Sequence, residues 1–148
     1  MNEIDVGKLD LNELIENGTA FHGHLGPFLV VGIRMGIIAL KELNSGGYSD
    51  MDVLVKTGTT PPISCLIDGI QVSTGCTMGK GNVYVITNEK PEPKAVFTCV
   101  TSGGKTLEIE LKPEIMEEIL KGGAIEEFAG KIATMTDEEL FNRKVTHP

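Results

Sequence analysis

From Phe28 to Leu40 the chain carries an almost unbroken apolar run, Phe-Leu-Val-Val-Gly-Ile-Arg-Met-Gly-Ile-Ile-Ala-Leu. Pro27 suits the first turn of a helix, so the run predicts one helix from Pro27 to about Leu43. Its apolar side chains point nearly all round, which means that it has to be covered on every side. It is too short to span a bilayer, and Arg34 interrupts it. A chain with this run must therefore wrap its other elements around a central buried helix. Gly32 and Gly36 lie four apart on one face and permit close approach of another helix or strand. Arg34 is costly in such surroundings unless paired; Asp68 is a candidate partner.

The remaining segments supply what the central helix needs. Val6 to Asn17 reads as an amphipathic helix with Gly18 placed to end it. Met51 to Thr57 alternates and reads as a strand, after which Pro61-Pro62 opens a third helix that ends near Gly75. Val83 to Thr87, Ala95 to Thr101 and Thr106 to Leu111 are rich in Val, Ile, Phe and Thr and read as three further strands. Ser102-Gly103-Gly104-Lys105 fits a hairpin turn between the last two. Helices follow over Pro113 to Lys121, Ile125 to Thr134 and Asp137 to Asn142, with Thr136 and Glu139 spaced as a capping box. The expectation is an α+β fold: a mainly antiparallel four-stranded sheet packed with a buried central helix and further helices. A length of 148 residues suits one domain over 1–148.

Composition removes several function classes. A net charge of −8 argues against a nucleic-acid surface or an anionic membrane partner, which need clustered Lys and Arg. Three cysteines without regular spacing do not form a disulfide framework. No basic stretch followed by an apolar run opens the chain, so a cytoplasmic, reduced protein with available thiols is expected.

Two of the three histidines, His22 and His24, sit two apart in Phe21-His22-Gly23-His24-Leu25-Gly26-Pro27. In an extended segment both rings would face one cavity, and the start of the central helix would favour a nearby anion, hydroxide or carboxylate. Cys65 and Asp68, three apart near the start of the third helix, share a face, and Gln71 continues the stripe. A thiol at a helix start tends toward thiolate. Imidazole and thiolate together point to a divalent transition metal held by His22, His24 and Cys65, zinc first, with nickel or iron as alternatives. Asp68 is then a candidate to move a proton from a metal-bound water. The bland alternatives stay open at this point: backbone-capping histidines and a buried cysteine acting as a small hydrophobe.

Cys76 is a further candidate catalytic thiol with a geometric difficulty. Eleven helical steps of about 1.5 Å would put it roughly 16 Å from Cys65, so either the chain turns back at Gly75, or Cys76 acts separately, or a second subunit supplies it. Cys99 reads as core packing, and His147 sits one residue from the end of the sequence. The loop Gly75-Cys76-Thr77-Met78-Gly79-Lys80-Gly81-Asn82 offers backbone N–H groups, the Thr77 hydroxyl and the Lys80 ammonium to an anion. It is not a P-loop, because a strand follows it. A non-catalytic module holding a pterin-like or phosphate-bearing small molecule on this loop is the competing reading.

Taken together, the two segments resemble the FmdE family, named after one of the subunits of formylmethanofuran dehydrogenase. The family pattern runs approximately His-Gly-His-x-Cys-Pro-Gly, a central helix with Gly and Arg-Met, Cys-x-x-Asp-Ala-Ile-Gln, then Thr-Gly-Cys-Thr-x-Gly-Lys-Gly-Asn. Phe21 to Pro27, Gly32 to Gly36, Cys65 to Gln71 and Thr74 to Asn82 match it in order. The resemblance implies an α+β metal-binding core, a homodimer and a tie to methanogenic one-carbon metabolism. Three positions depart from the pattern: Gly26 stands at the motif cysteine, Phe28 at its glycine and Gly69 at the usual alanine. The ligands carried over are His22, His24 and Cys65. The C-terminal zinc module of some members has no counterpart in Thr146-His147-Pro148, so the core domain alone is expected.

Overall fold

A computed structural model describes residues 2–148. In chain order the elements are α1 (Leu11–His22), α2 (Pro27–Glu42), β1 (Met51–Val55), α3 (Cys65–Thr74), β2 (Val83–Val85), β3 (Lys94–Cys99) and β4 (Lys105–Leu111). Then follow α4 (Pro113–Leu120), α5 (Ile125–Thr134), α6 (Asp137–Leu140) and β5 (Phe141–Thr146). The fold is α+β, and its sheet has five strands in the order β2-β1-β3-β4-β5.

The central helix is where the apolar run predicts it. Leu29, Val30, Val31, Ile33 and Met35 of α2 are wholly buried, each burial contributing about 1.5–3 kcal/mol. α2 packs against α1, α3, α5 and β4. The α2–α3 contact is made by backbone. A β-carbon on Gly32 would overlap the Leu66 carbonyl oxygen, and one on Gly69 would overlap that of Leu29. Only glycine at both positions allows this approach.

The sheet departs from the expected four strands in two ways. β2 runs parallel to β1, with Val53 opposite Val83, because α3 returns the chain to the same end of the sheet. The expected helix from Asp137 to Asn142 stops at Leu140, and the chain continues as β5, antiparallel to β4. β5 escapes sequence reading because it is a polar edge strand, Phe-Asn-Arg-Lys-Val-Thr, in which charge protects an open edge. The capping box does form: Glu139 N–H donates to the Thr136 hydroxyl at 3.1 Å, and Thr136 N–H to the Glu139 carboxylate at 2.9 Å.

Two helix boundaries shift, and both matter for the site. The first helix begins at Leu11 rather than Val6, because Val6–Lys8 close into a separate 3-10 turn. Asp10 then caps α1 by accepting from the N–H groups of Asn12 and Glu13. The helix passes through Gly18, whose missing side chain makes room for Ile33, and ends at Gly23 with φ +99°. Pro61-Pro62 forms a turn rather than a helix start, and α3 begins at Cys65.

Arg34 does not pair with Asp68. Its guanidinium donates to the carbonyls of Ile132 and Ala133 at 2.9 and 3.2 Å and to Asp137 at 2.8 Å. A buried cation thus closes the carboxyl end of α5, where the helix dipole favours positive charge. Among the described residues no helix is long and apolar enough to cross a membrane.

Candidate functional site

The extended histidine segment is not what forms. His22 is the last residue of α1, Gly23 reverses the chain in the left-handed conformation, and His24 follows. The rings nevertheless meet, with centroids 4.6 Å apart and planes tilted by 41°. His22 is held from the opposite side by α3, where its Nδ1 lies 2.5 Å from the Asp68 carboxylate. That contact selects the tautomer in which Nδ1–H donates to Asp68, so Nε2 presents a lone pair. Nε2 is buried and has no hydrogen-bond partner. Buried polar nitrogens are nearly always satisfied. An unsatisfied imidazole nitrogen oriented by a carboxylate is the arrangement in which histidine binds a metal.

His22 lines a cavity of about 300 Å³. His22, His24, Gly26, Cys65 and Pro62 line one part, the first turn of α2 another, and Ile119, Leu120 and Ile125 from the α4–α5 region the remainder. Gly26 adjoins His24: a β-carbon there would stand 3.2 Å from its Nε2. The His24 ring thus crowds the position where the family pattern places a thiol, and a side chain there would require it to shift.

Cys65 is half-buried, and its thiol does not follow the expectation of a thiolate. Burial, and next the negative charge of Asp68 one helical turn away, raise its pKa above the ordinary thiol range. The N-terminal position in α3 does not offset these two effects. Among the described residues, no three His, Cys, Asp or Glu side chains stand close enough to hold one metal ion. The structure therefore brings His22 and His24 together, adds Asp68 behind His22, and leaves Cys65 on the same cavity wall without closing a three-ligand set.

Cys76 lies at the other end of α3, beyond the left-handed Gly75, and is completely buried. Its thiol donates to the Met51 carbonyl at 3.3 Å, and burial raises its pKa. The structure does not bring it to the histidine cavity, and its sulfur has no route to a substrate in this conformation.

The loop beside it is also closed on itself. Thr77 N–H donates to Asn82, Met78 N–H to Gln71, Lys80 N–H to the Thr77 hydroxyl and Gly81 N–H to the Met78 carbonyl. The Lys80 ammonium reaches the Thr77 hydroxyl at 3.1 Å and lies over the Tyr48 ring. Four of the amides expected to cradle an anion, those of Thr77, Met78, Lys80 and Gly81, are thus already used. Asn82, which sequence reading passed over, is the hub: its amide NH₂ donates to the carbonyls of Tyr48 and Met51 at 2.6 and 3.0 Å.

A larger groove of about 650 Å³ between Lys90–Pro93 and α4 carries no imidazole or thiol. The α4–α5 wall of the histidine cavity was not foreseeable, since Leu120 and Ile125 lie far along the chain from the histidines. Their one sequence signal is that they are large, apolar and, in the fold, half exposed.

A family profile described as "FmdE, Molybdenum formylmethanofuran dehydrogenase operon" matches residues 21–142. This chain belongs to the FmdE family. Its fold matches the crystal structure of a tungsten formylmethanofuran dehydrogenase FmdE-like protein from Syntrophus aciditrophicus, with a TM-score of 0.71 and 23% identity. That match covers 100% of this chain and 78% of the other, and at this identity it establishes the shared fold. A relative from Archaeoglobus fulgidus, named a probable S-adenosyl-L-methionine-binding protein, is 35% identical over 81 residues. The match covers 51% of this chain but only 21% of that relative.

Proposed function

We propose that this FmdE domain binds a divalent transition metal, zinc foremost, at the His22–His24 pair, and serves one-carbon metabolism as a metal-dependent enzyme or an accessory subunit. The observation that carries the reading is the buried, unpartnered Nε2 of His22 with Asp68 behind its other nitrogen. A divalent ion there supplies Lewis acidity when bound. The chain's own residues do the rest. Asp68 orients the ring and fixes its tautomer, so it acts as a positioning residue in addition to the proton carrier expected from sequence. His24 offers a second nitrogen, and Cys65 is the nearest thiol for a third donor. The family's tie to formylmethanofuran dehydrogenase supports the one-carbon assignment. Homodimer assembly and a cytoplasmic location belong to the same reading; light scattering on the purified protein tests the first.

The decisive experiment is metal analysis of protein prepared without chelator or nickel resin. Near-stoichiometric metal that falls sharply in His24→Ala supports the reading. Substoichiometric metal, equal in both proteins, overturns it.

The competing small-molecule module, with Thr77 and Lys80 as anion ligands, draws less support because the loop amides are internally paired. S-adenosyl-L-methionine is named for the Archaeoglobus relative, of which the match covers 21%.

A further inference from the structure

The geometry points to the surface on which two copies of this chain meet: the outer face of the sheet around Leu54, with Asp52 of each copy set against Lys56 of the other. It names the interface of the homodimer proposed above and rests on that reading.

The sheet has two unlike faces. Val53, Val55, Ala95, Phe97, Leu107 and Ile109 point inward and are buried. The residues that alternate with them point outward, and none of those is buried. An antiparallel sheet with one solvated face normally carries polar residues on it. The β4–β5 half obeys, with Thr106, Glu108, Glu110, Asn142 and Lys144. The β2–β1–β3 half does not. There Tyr84, Leu54 and Val96 stand side by side in one row across three strands, and Tyr84 is 52% exposed.

The charges beside this row decide the occupant. Asp52 precedes Leu54 by two residues and Lys56 follows it by two, so each lies about 7 Å from it on the same face. Lys56 keeps the alternation of β1, because its N–H donates to the Lys94 carbonyl at 2.9 Å. Among the described residues neither Asp52 nor Lys56 forms an ion pair within the chain.

A two-fold contact needs a patch complementary to itself. An axis running across the strands at Leu54 reverses the second copy's strand. Asp52 of each copy then faces Lys56 of the other, while Leu54 meets its own image. An axis along the strand would instead oppose Lys56 to Lys56. Sheets packed face to face lie about 10 Å apart with apolar side chains interdigitated between them, which the Tyr84–Leu54–Val96 row supplies. Glu108, next in that row, marks the rim and pairs with Lys94 of its own chain at 3.2 Å. An unrelated protein would have no need of opposite charges spaced equally about one residue; a second copy does.

The experiment is sedimentation velocity of the full chain over a dilution series, alongside a separate metal analysis. The parent is expected to sediment as a dimer that dissociates on dilution. Lys56→Asp sets like charges together on both sides of the axis and is expected to raise the dissociation constant at least about tenfold, as is Asp52→Lys. The double exchange, Asp52→Lys with Lys56→Asp, restores the pairing and is expected to return the constant to within about threefold of the parent. That recovery separates a lost interface from a lost fold, because the double exchange carries both substitutions. A dimer indifferent to all three variants overturns this face and leaves the homodimer standing. A double exchange as weak as the singles overturns the Asp52–Lys56 pairing, and a monomeric parent overturns face and homodimer together. A charge-dependent dimer that takes up no metal supports this inference while defeating the metal reading. A metal-loaded monomer does the reverse.

Discussion

The two ends of α3 were built from similar materials and came out opposite. Each end pairs a cysteine with polar neighbours and nearby glycines, Cys65 with Asp68 at one end, Cys76 with Thr77 and Lys80 at the other. At the Cys76 end the Cys76 thiol, the Met78 N–H and the Asn82 side chain find partners within the chain, through Tyr48, Met51 and Gln71. At the Cys65 end a buried nitrogen has none, and its residue, His22, lines a cavity. A satisfied cluster contributes stability; an unsatisfied one beside a cavity is a site waiting for a ligand. Residue type does not separate the two, whereas hydrogen-bond satisfaction does.

That contrast can be broken at either end. The largest effect is expected from Asn82→Ala, which leaves two carbonyls and the Thr77 N–H short of a partner. Chemical denaturation should show a loss of about 3 kcal/mol with metal content unchanged; a neutral result would mean that the Cys76 end is not a structural cluster. His22→Ala should do the opposite, lowering metal affinity by about a hundredfold or more, some 2.7 kcal/mol, with little change in the unfolding midpoint. Competition with a chelating dye reads the first quantity, and equal affinity of variant and parent would remove His22 from the site.

Asp68→Asn sharpens the picture, because it keeps the shape and removes the charge behind His22. A loss of about tenfold in metal affinity is expected, the range for a residue that orients a ligand rather than binding the ion. No loss would reduce the 2.5 Å contact to a surface ion pair.

The smallest effect concerns pH and lies away from both ends. Burial raises the Asp50 pKa, but hydrogen bonds from Ser45, Thr101 and Cys99 outweigh it and hold the carboxyl below its usual value. A folded pKa below the unfolded one of about 3.9 contributes stability above that pH, lost as pH falls through the folded value. Urea midpoints followed from neutral pH into acid should decline less steeply in Asp50→Asn than in the parent. Identical acid limbs would show that other carboxylates dominate.

Local pattern carried much of this. The all-round apolar run made α2 readable as a buried helix, and Gly32 and Gly36 announced a close neighbour. Strands β3 and β4 and the turn at Ser102–Lys105 were readable from alternation and glycine. Pairing order was not, because nothing within Val83–Val85 says that its partner is parallel. β5 was hidden by the charges that protect its edge. At the site, His22 and His24 were legible as a pair and Asp68 as their neighbour. The protonated thiol of Cys65 was not, since it depends on burial and on the Asp68 charge winning over the helix end. The α4–α5 wall needed the fold itself.

The backbone contact between Gly32 and Gly69 has a consequence for how such chains diversify. It locks the amino end of α2 and the start of α3, and with them Gly26, Phe28, Leu29 and Cys65, into one unit that admits no added side chain. The facing wall hangs on α4 and α5, joined through Gly122 and Gly123, with Leu120 and Ile125 half exposed. Substitution is costly on one side of the cavity and cheap on the other. Ligand preference can thus drift through a few wall residues across descendants, while the chemistry at the histidines is inherited intact.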